Sequence, residues 1–313
     1  MKAIILFLTF SLSTLAHYYD KTDAFNKVYK NSNAFTDKDI KSLKNTKIVL
    51  IPGILAETFT DSELSQVNLS KLVGQYFSRP LKHFDDKYQI ETTRIKSSSK
   101  DINTTKAEIA KQLRTDKKVI FVAHSLGGLA LMEYLLENPN DAEKVKSLIF
   151  LQTPFQGSPM AQLYEENPYF LGDMIKRFLP FFNTSPEILS YLSVERRMKY
   201  MEENKSAIKK LSAKVPTLTL GTYANKSASL FYPAVKIMKH GCINTIREKC
   251  IFPRVYKGTM DQSDGMVPLN SSMLPETPFV KLSRIDHGET VVDIPFTDID
   301  QNKLIESLIK MTL

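Results

Sequence analysis

The sequence predicts an α/β protein: a mostly parallel central sheet flanked by helices, with a helical insertion forming a cap or lid. Three observations carry that expectation. Short apolar runs alternate with helical patterns from about residue 45 onward. The central runs are continuously apolar, as strands buried on both faces must be. One connection, of about sixty residues, is far longer than the few residues that usually join a strand to the next element.

The first sixteen residues read MKAIILFLTFSLSTLA: one basic residue, Lys2, an apolar stretch from Ala3 to about Leu15, and small residues at Ser13, Thr14 and Ala16. This is the pattern of a signal peptide cleaved after Ala16, and it predicts a secreted or periplasmic protein. About thirteen helical residues reach about 20 Å, short of a ~30 Å hydrocarbon core, which makes a permanent anchor the weaker expectation. No cysteine follows the stretch, which excludes lipid anchoring there.

Residues 17–44 are polar and read as a helical or irregular preface. Lys47–Ile51 is a buried strand stopping at Pro52-Gly53. Tyr88–Ile95 alternates like a peripheral strand. Ala107–Leu113 reads as helix, with Thr104 and Thr105 as N-cap positions. Val119–Val122 is a strand, followed by a turn and a helix over Leu129–Leu136. Lys146–Leu151 and Val215–Thr222 are further strands, the long insertion lies between them at about 155–214, and a helix over Asp300–Met311 closes the chain.

The 313 residues are 42% hydrophobic and 24% charged, enough to bury a large core in one domain. A net charge of +8 would favour anionic surfaces, but the lysines are spread through the chain without a tight basic run. A lysine-rich composition explains the charge better, and motifs for nucleic-acid binding are absent, so no nucleic-acid partner is expected. No metal cluster or cofactor motif is apparent, and nothing in the sequence sets an oligomeric state. Cys242 and Cys250, eight positions apart in GCINTIREKC, would close a short disulfide loop in an oxidising compartment. The alternative is two buried thiols.

The chemistry concentrates around Val119-Ile-Phe-Val-Ala-His-Ser-Leu-Gly-Gly128. A buried strand running into a small-x-Ser-x-Gly turn and straight on into a helix is the context of a nucleophile elbow. Ser125 must adopt strained angles there, and its neighbours two positions away, Ala123 and Gly127, are small enough to allow it. Gly128 lets the helix pack closely, and the helix N-terminus favours negative charge beside the serine. One oxyanion donor would be the backbone N–H of Leu126, and the other that of Ile54, aimed by Gly53 after the first strand.

Of five histidines, His17, His83, His124, His240 and His287, only the last fits a base that follows both nucleophile and acid in the chain. His240 is the fallback. His124, adjacent to Ser125, must point elsewhere, to pack or to steer. The acid falls in Asp261-Gln-Ser-Asp264-Gly, where Asp264, in a tight Asp-Gly turn, is preferred and Asp261 is the alternative.

Taken together, AHSLGG at 123–128, IPGIL at 51–55, TPFQGSPMA at 153–161, SDGMVP at 263–268 and DHGE at 286–289 resemble secreted lipases and esterases of the α/β-hydrolase superfamily, in order along residues 45–313. The resemblance implies a catalytic domain with Ser125 as nucleophile, Asp264 as acid, His287 as base and Ile54 and Leu126 as oxyanion donors. It also implies that the Thr153-Pro154 strand end lines the pocket floor, beside Phe155. Those lipases often carry His-Gly where Pro52-Gly53 stands here.

Within the insertion Leu171, Met174, Ile175, Phe178 and Leu179 share one helical face opposite Lys176 and Arg177; Phe182 continues the spacing, but Pro180 ends the helix near Leu179 and leaves Phe181 and Phe182 to the turn. Above the active edge of such a fold this predicts a lid over an acyl pocket, with Phe155, Phe178 and Leu179 meeting the substrate and the lid touching a membrane or lipid surface transiently. The rival expectation is a stripe that merely packs on the core. The expected activity is hydrolysis of carboxylic esters of a lipid-like substrate through an acyl-serine. Acyl transfer, polyester depolymerisation or amide hydrolysis on the same scaffold are the alternatives, and a non-catalytic binding protein the weakest.

Overall fold

The structure, a computed structural model, describes residues 19–31, 35–54, 75–166, 184–224, 262–294, 297 and 299–313. The predicted leader and its cleavage site, Phe178, Leu179 and the rest of the lid face, His240, Cys242, Cys250 and Asp261 lie outside these residues.

The chain enters through a two-residue strand β1 (Tyr19–Asp20), then helices α1 (Thr22–Asn31) and α2 (Asp37–Leu43). Strand β2 (Thr46–Ile51) follows, then α3 (Ser78–Tyr88), β3 (Thr92–Arg94), α4 (Ile102–Gln112), β4 (Lys118–His124), α5 (Leu126–Glu137) and β5 (Val145–Leu151). The insertion is helical where described: α6 (Pro159–Glu166), α7 (Pro186–Tyr191), α8 (Val194–Glu203) and α9 (Lys205–Lys214). Strands β6 (Thr217–Tyr223) and β7 (Pro278–Ser283) and helix α10 (Gln301–Lys310) complete the chain.

The seven strands form one sheet in the order β1-β7-β6-β5-β4-β2-β3, and every pairing is parallel. The successors of β2 lie on opposite sides of it, β3 on one and β4 on the other, so the strand order reverses there. In an open parallel sheet a crevice opens at such a point, beyond the carboxyl ends of the strands. The turn after β2 and the serine after β4 both stand at this crevice.

The continuously apolar strands are explained by burial on both faces. Val49, Ile51, Phe121, Ala123, Leu148 and Phe150 point into one core with Ile109, Leu129 and Met132. Their alternates Ile48, Leu50, Ile120, Val122, Ile149 and Leu151 point into another with Phe25, Phe84, Leu304 and Leu308. Full burial of each such side chain contributes about 1.5–3 kcal/mol.

Three local expectations need correction. The helix predicted from Ala107 begins five residues earlier, at Ile102, because Asp101 and not Thr104 or Thr105 supplies the cap, accepting from Asn103 N–H. Tyr88 is the last residue of α3 and not the start of a strand; Gln89, at φ 55°, stops the helix, and β3 keeps only three residues. The polar preface is also part of the sheet, since Tyr19 and Asp20 pair with Pro278 and Phe279 of β7.

Candidate active site

Ile51 of β2 pairs with Ala123 of β4, so the two strand ends emerge side by side. Ser125 sits between β4 and α5 at φ 52°, ψ −126°, a conformation that L-residues rarely adopt. Its N–H is held by the Leu151 carbonyl at 2.9 Å. The crowding explains the small neighbours. A Cβ on Gly53 would fall 2.6 Å from Ser125 Cβ, and one on Gly127 would fall 2.7 Å from Ile51 Cγ2.

Ser125 Oγ lies 2.9 Å from His287 Nε2, and His287 Nδ1 lies 2.8 Å from Asp264 Oδ2. All three residues are at most 5% exposed. The other carboxylate oxygen of Asp264 accepts the N–H groups of Met266 and Val267 at 2.9 and 2.7 Å. Gly265, at φ 102°, makes the tight turn that allows this. Asp264 thus has one carboxylate oxygen held by backbone N–H groups and the other facing the imidazole. The sequence-predicted Ser125, Asp264 and His287 are therefore in one hydrogen-bonded run, although they come from three separate segments.

The loop bearing His287 has its own brace, which the sequence reading missed. Asp286 Oδ1 accepts the N–H groups of Gly288 and Glu289 at 2.9 and 3.0 Å, while Glu289 Oε2 accepts the Asp286 N–H at 2.7 Å. This reciprocal arrangement is the one a helix capping box uses, and the Asp-x-x-Glu spacing was its available signal.

Ile54 lies just past the end of β2, and Leu126 directly follows Ser125. Among the described residues neither backbone N–H donates a hydrogen bond. Leu126 opens α5, where the first N–H groups of a helix have no internal acceptor and the dipole favours negative charge. Phe155 is fully buried, edge-on to Phe150 with ring centroids 5.2 Å apart, and belongs to the core beneath the site.

The root of the insertion is tied to the acid loop. Ser158 Oγ donates to the Met266 carbonyl at 2.6 Å and Ser271 Oγ to the Gly157 carbonyl at 2.7 Å. Deeper in the insertion, Arg197 is 1% exposed and donates to Glu133 of α5 at 2.6 Å, with the ring centroids of Tyr191 and Tyr200 4.9 and 4.5 Å from its guanidinium carbon. Tyr191 donates its hydroxyl to the same carboxylate. Helix α5, which follows Ser125, is therefore pinned to the insertion by a buried ion pair, whose breaking would strand a charge.

Comparison with known proteins agrees with this architecture. Residues 100–166 match the family model described as lecithin:cholesterol acyltransferase. No match was found among curated protein sequences. A metagenomic carboxyl esterase has a similar structure, with a TM-score of 0.67 at 16% identity, covering 100% of this chain and 96% of that one. The mature form of the Bacillus licheniformis lipase BlEst2 superposes with a TM-score of 0.58 at 18% identity, covering 85% and 91%. EstA from Clostridium botulinum does so with a TM-score of 0.52 at 13% identity, covering 93% and 98%. The chain has the α/β-hydrolase fold.

Proposed function

We propose that the chain is an exported serine hydrolase that cleaves carboxylic esters of a lipid-like substrate, a lipase or esterase. The observation that carries the reading is the run Ser125 Oγ–His287 Nε2–Asp264 Oδ2, at 2.9 and 2.8 Å, at the crevice where the strand order reverses. His287 takes the Ser125 proton as Oγ attacks the ester carbonyl, and Asp264 accepts the Nδ1–H, holding the imidazole in the required tautomer. The N–H groups of Ile54 and Leu126 receive the oxyanion, and each such donor contributes about 2.7–4 kcal/mol in the transition state. Collapse of the intermediate gives the proton to the leaving alcohol and leaves an acyl-Ser125, which water attacks with His287 again as base.

Similarity in fold to an esterase and lipases supports the ester as substrate class. The apolar face of the insertion, with Phe178 and Leu179, supports a lipid-like acyl chain and brief contact of the lid with a lipid surface. Phe155 contributes from below, as packing under the acyl site. The leader through Ala16 supports export. A panel of nitrophenyl esters and phospholipids, run with wild type and Ser125→Ala, tests the reading. Hydrolysis retained in Ser125→Ala would end it.

The family match over residues 100–166 favours one second reading, transfer of the acyl group to an alcohol in place of water. The ratio of transferred to hydrolysed product, measured with added alcohol acceptors, separates the two.

A further inference from the structure

Beneath the Ser125–His287 pair lies a second buried polar cluster that the proposed reaction does not consume. His124 is 1% exposed. Its Nδ1 lies 2.5 Å from Tyr76 Oη, and its Nε2 lies 2.9 Å from the His287 carbonyl oxygen and 3.1 Å from Gln152 Oε1. A carbonyl oxygen only accepts, so Nε2 carries the proton and Nδ1 accepts the Tyr76 hydroxyl. Tyr76 Oη accepts in turn from the Gly53 N–H at 3.3 Å.

The Gln152 amide is oriented by the same logic. Its Nε2 donates to the Asp286 carbonyl at 2.9 Å and to Thr222 Oγ1 at 2.5 Å. Its Oε1 accepts from Thr290 Oγ1 at 2.6 Å and faces His124. All four bonding positions of the amide are thereby used. Gln152 holds this pose from a left-handed backbone, φ 49°, at the end of β5, one strand over from Ser125.

We propose that His124 and Gln152 are positioning residues: the run Gly53–Tyr76–His124–His287, steadied by Gln152, sets the oxyanion turn and the base loop against Ser125 as one unit. The inference rests on the reading of Ser125 and His287 as nucleophile and base. What separates it from an ordinary satisfied core histidine is where the ends of the run land. One end is the N–H of Gly53, which directly precedes the oxyanion donor Ile54. The other is the carbonyls of Asp286 and His287, the backbone that carries the base. Polar groups bonded in series in a dry interior move together, and a misplacement of about 1 Å at a reacting centre costs about 100-fold in rate. Burial, and next the neighbouring His287, hold the His124 imidazole well below the ordinary histidine range, so the relay stays neutral while the base cycles.

Two measurements on the full chain test this. Nitrogen-15 NMR of histidine-labelled protein should show one imidazole, absent in His124→Phe, that stays neutral with its proton on Nε2 through the range in which an ordinary imidazole titrates. A proton on Nδ1, or a charge appearing in that range, overturns the relay. In kinetics, Tyr76→Phe should lower kcat by about 10- to 100-fold per titrated site with KM within about twofold, and should cost nothing further when added to His124→Phe. Wild-type kcat in folded Tyr76→Phe, or losses that multiply in the double variant, overturn it. The two failures are distinguishable: hydrolysis surviving in Ser125→Ala sinks the underlying reading, whereas an inert Ser125→Ala beside an unaffected Tyr76→Phe sinks the relay alone.

Discussion

The ends of β4 and β5 use the same backbone device for different ends. Each strand stops at a non-glycine residue in the left-handed region, Ser125 at φ 52° and Gln152 at φ 49°. Each holds its N–H on a neighbouring strand's carbonyl, Ser125 on Leu151 at 2.9 Å and Gln152 on Leu220 at 2.7 Å. Such a residue stores about 1–3 kcal/mol of strain, which persists only where the surroundings over-determine it. At β4 the strain lifts a hydroxyl out of the sheet toward the crevice. At β5 it turns an amide inward, to bond Thr222, Thr290, His124 and the Asp286 carbonyl. On the proposed reading, one strained strand end supplies the reactive group and its neighbour supplies the frame that keeps the partners of that group in place.

The largest expected effect breaks the first strand end. Ser125→Ala should lower kcat for nitrophenyl esters by about 10⁶-fold, since loss of a serine nucleophile removes nearly all covalent catalysis, with circular dichroism unchanged. Asp264→Asn should lower it by about 10⁴-fold, because the amide no longer holds the Nδ1–H tautomer of His287; stopped-flow acylation measures it.

At the second strand end, Gln152→Gly relieves the left-handed strain and removes the amide together. If the frame matters, kcat falls by about 10-fold and the melting temperature falls with it, because four lost buried hydrogen bonds outweigh about 1–3 kcal/mol of relieved strain. A rise in melting temperature with full activity would mean that the strain served nothing.

The smallest effect is a control remote from both strand ends. Glu306 of α10 is buried and bonded to His83 at 2.7 Å, to Tyr88, and to Lys87 at 3.5 Å. Burial pushes its carboxyl up, but these hydrogen bonds and charges outweigh burial and hold it below the ordinary value of 4.5. A depressed folded-state pKa stabilises the protein above the unfolded value and loses that contribution as pH falls through the folded one. Glu306→Gln should therefore lower the melting temperature at neutral pH, with the gap to wild type closing below about pH 4.5 and kcat within about twofold throughout.

The same contrast explains how much of the molecule was legible beforehand. The elbow could be read because its demands are local: a buried strand, a sharp turn and a helix lie within ten consecutive residues, and small neighbours are required at fixed spacing. Gln152 could not, because nothing beside it in the chain states its role; its partners lie 28, 70, 134 and 138 positions away. The cap of α4 was misassigned to threonines because hydroxyl and carboxylate caps look alike until the backbone shows which residue is extended. The brace of Asp286 and Glu289 was within reach of sequence reading, since its spacing is that of a capping box, but no helix follows to mark it.

By itself, then, the order of residues determined the alternating apolar runs that must become a doubly covered parallel sheet, the strained turn at Ser125, and the succession serine, aspartate, histidine. The runs and the turn are consequences of short-range sterics and of hydrophobic period, which a chain carries in any conformation, while the succession was read from the order these groups take in the fold the sequence resembles. Only the tertiary structure decided that β1 joins β7, that the strand order reverses at β2, and that Asp264, His287 and Ser125 come within hydrogen-bond distance across three segments. It also decided that His124 turns away from Ser125 to face the His287 carbonyl. Hydrogen bonds between residues far apart in the chain leave no period to read. They exist once packing has expelled water and left each buried donor with a specific acceptor to find.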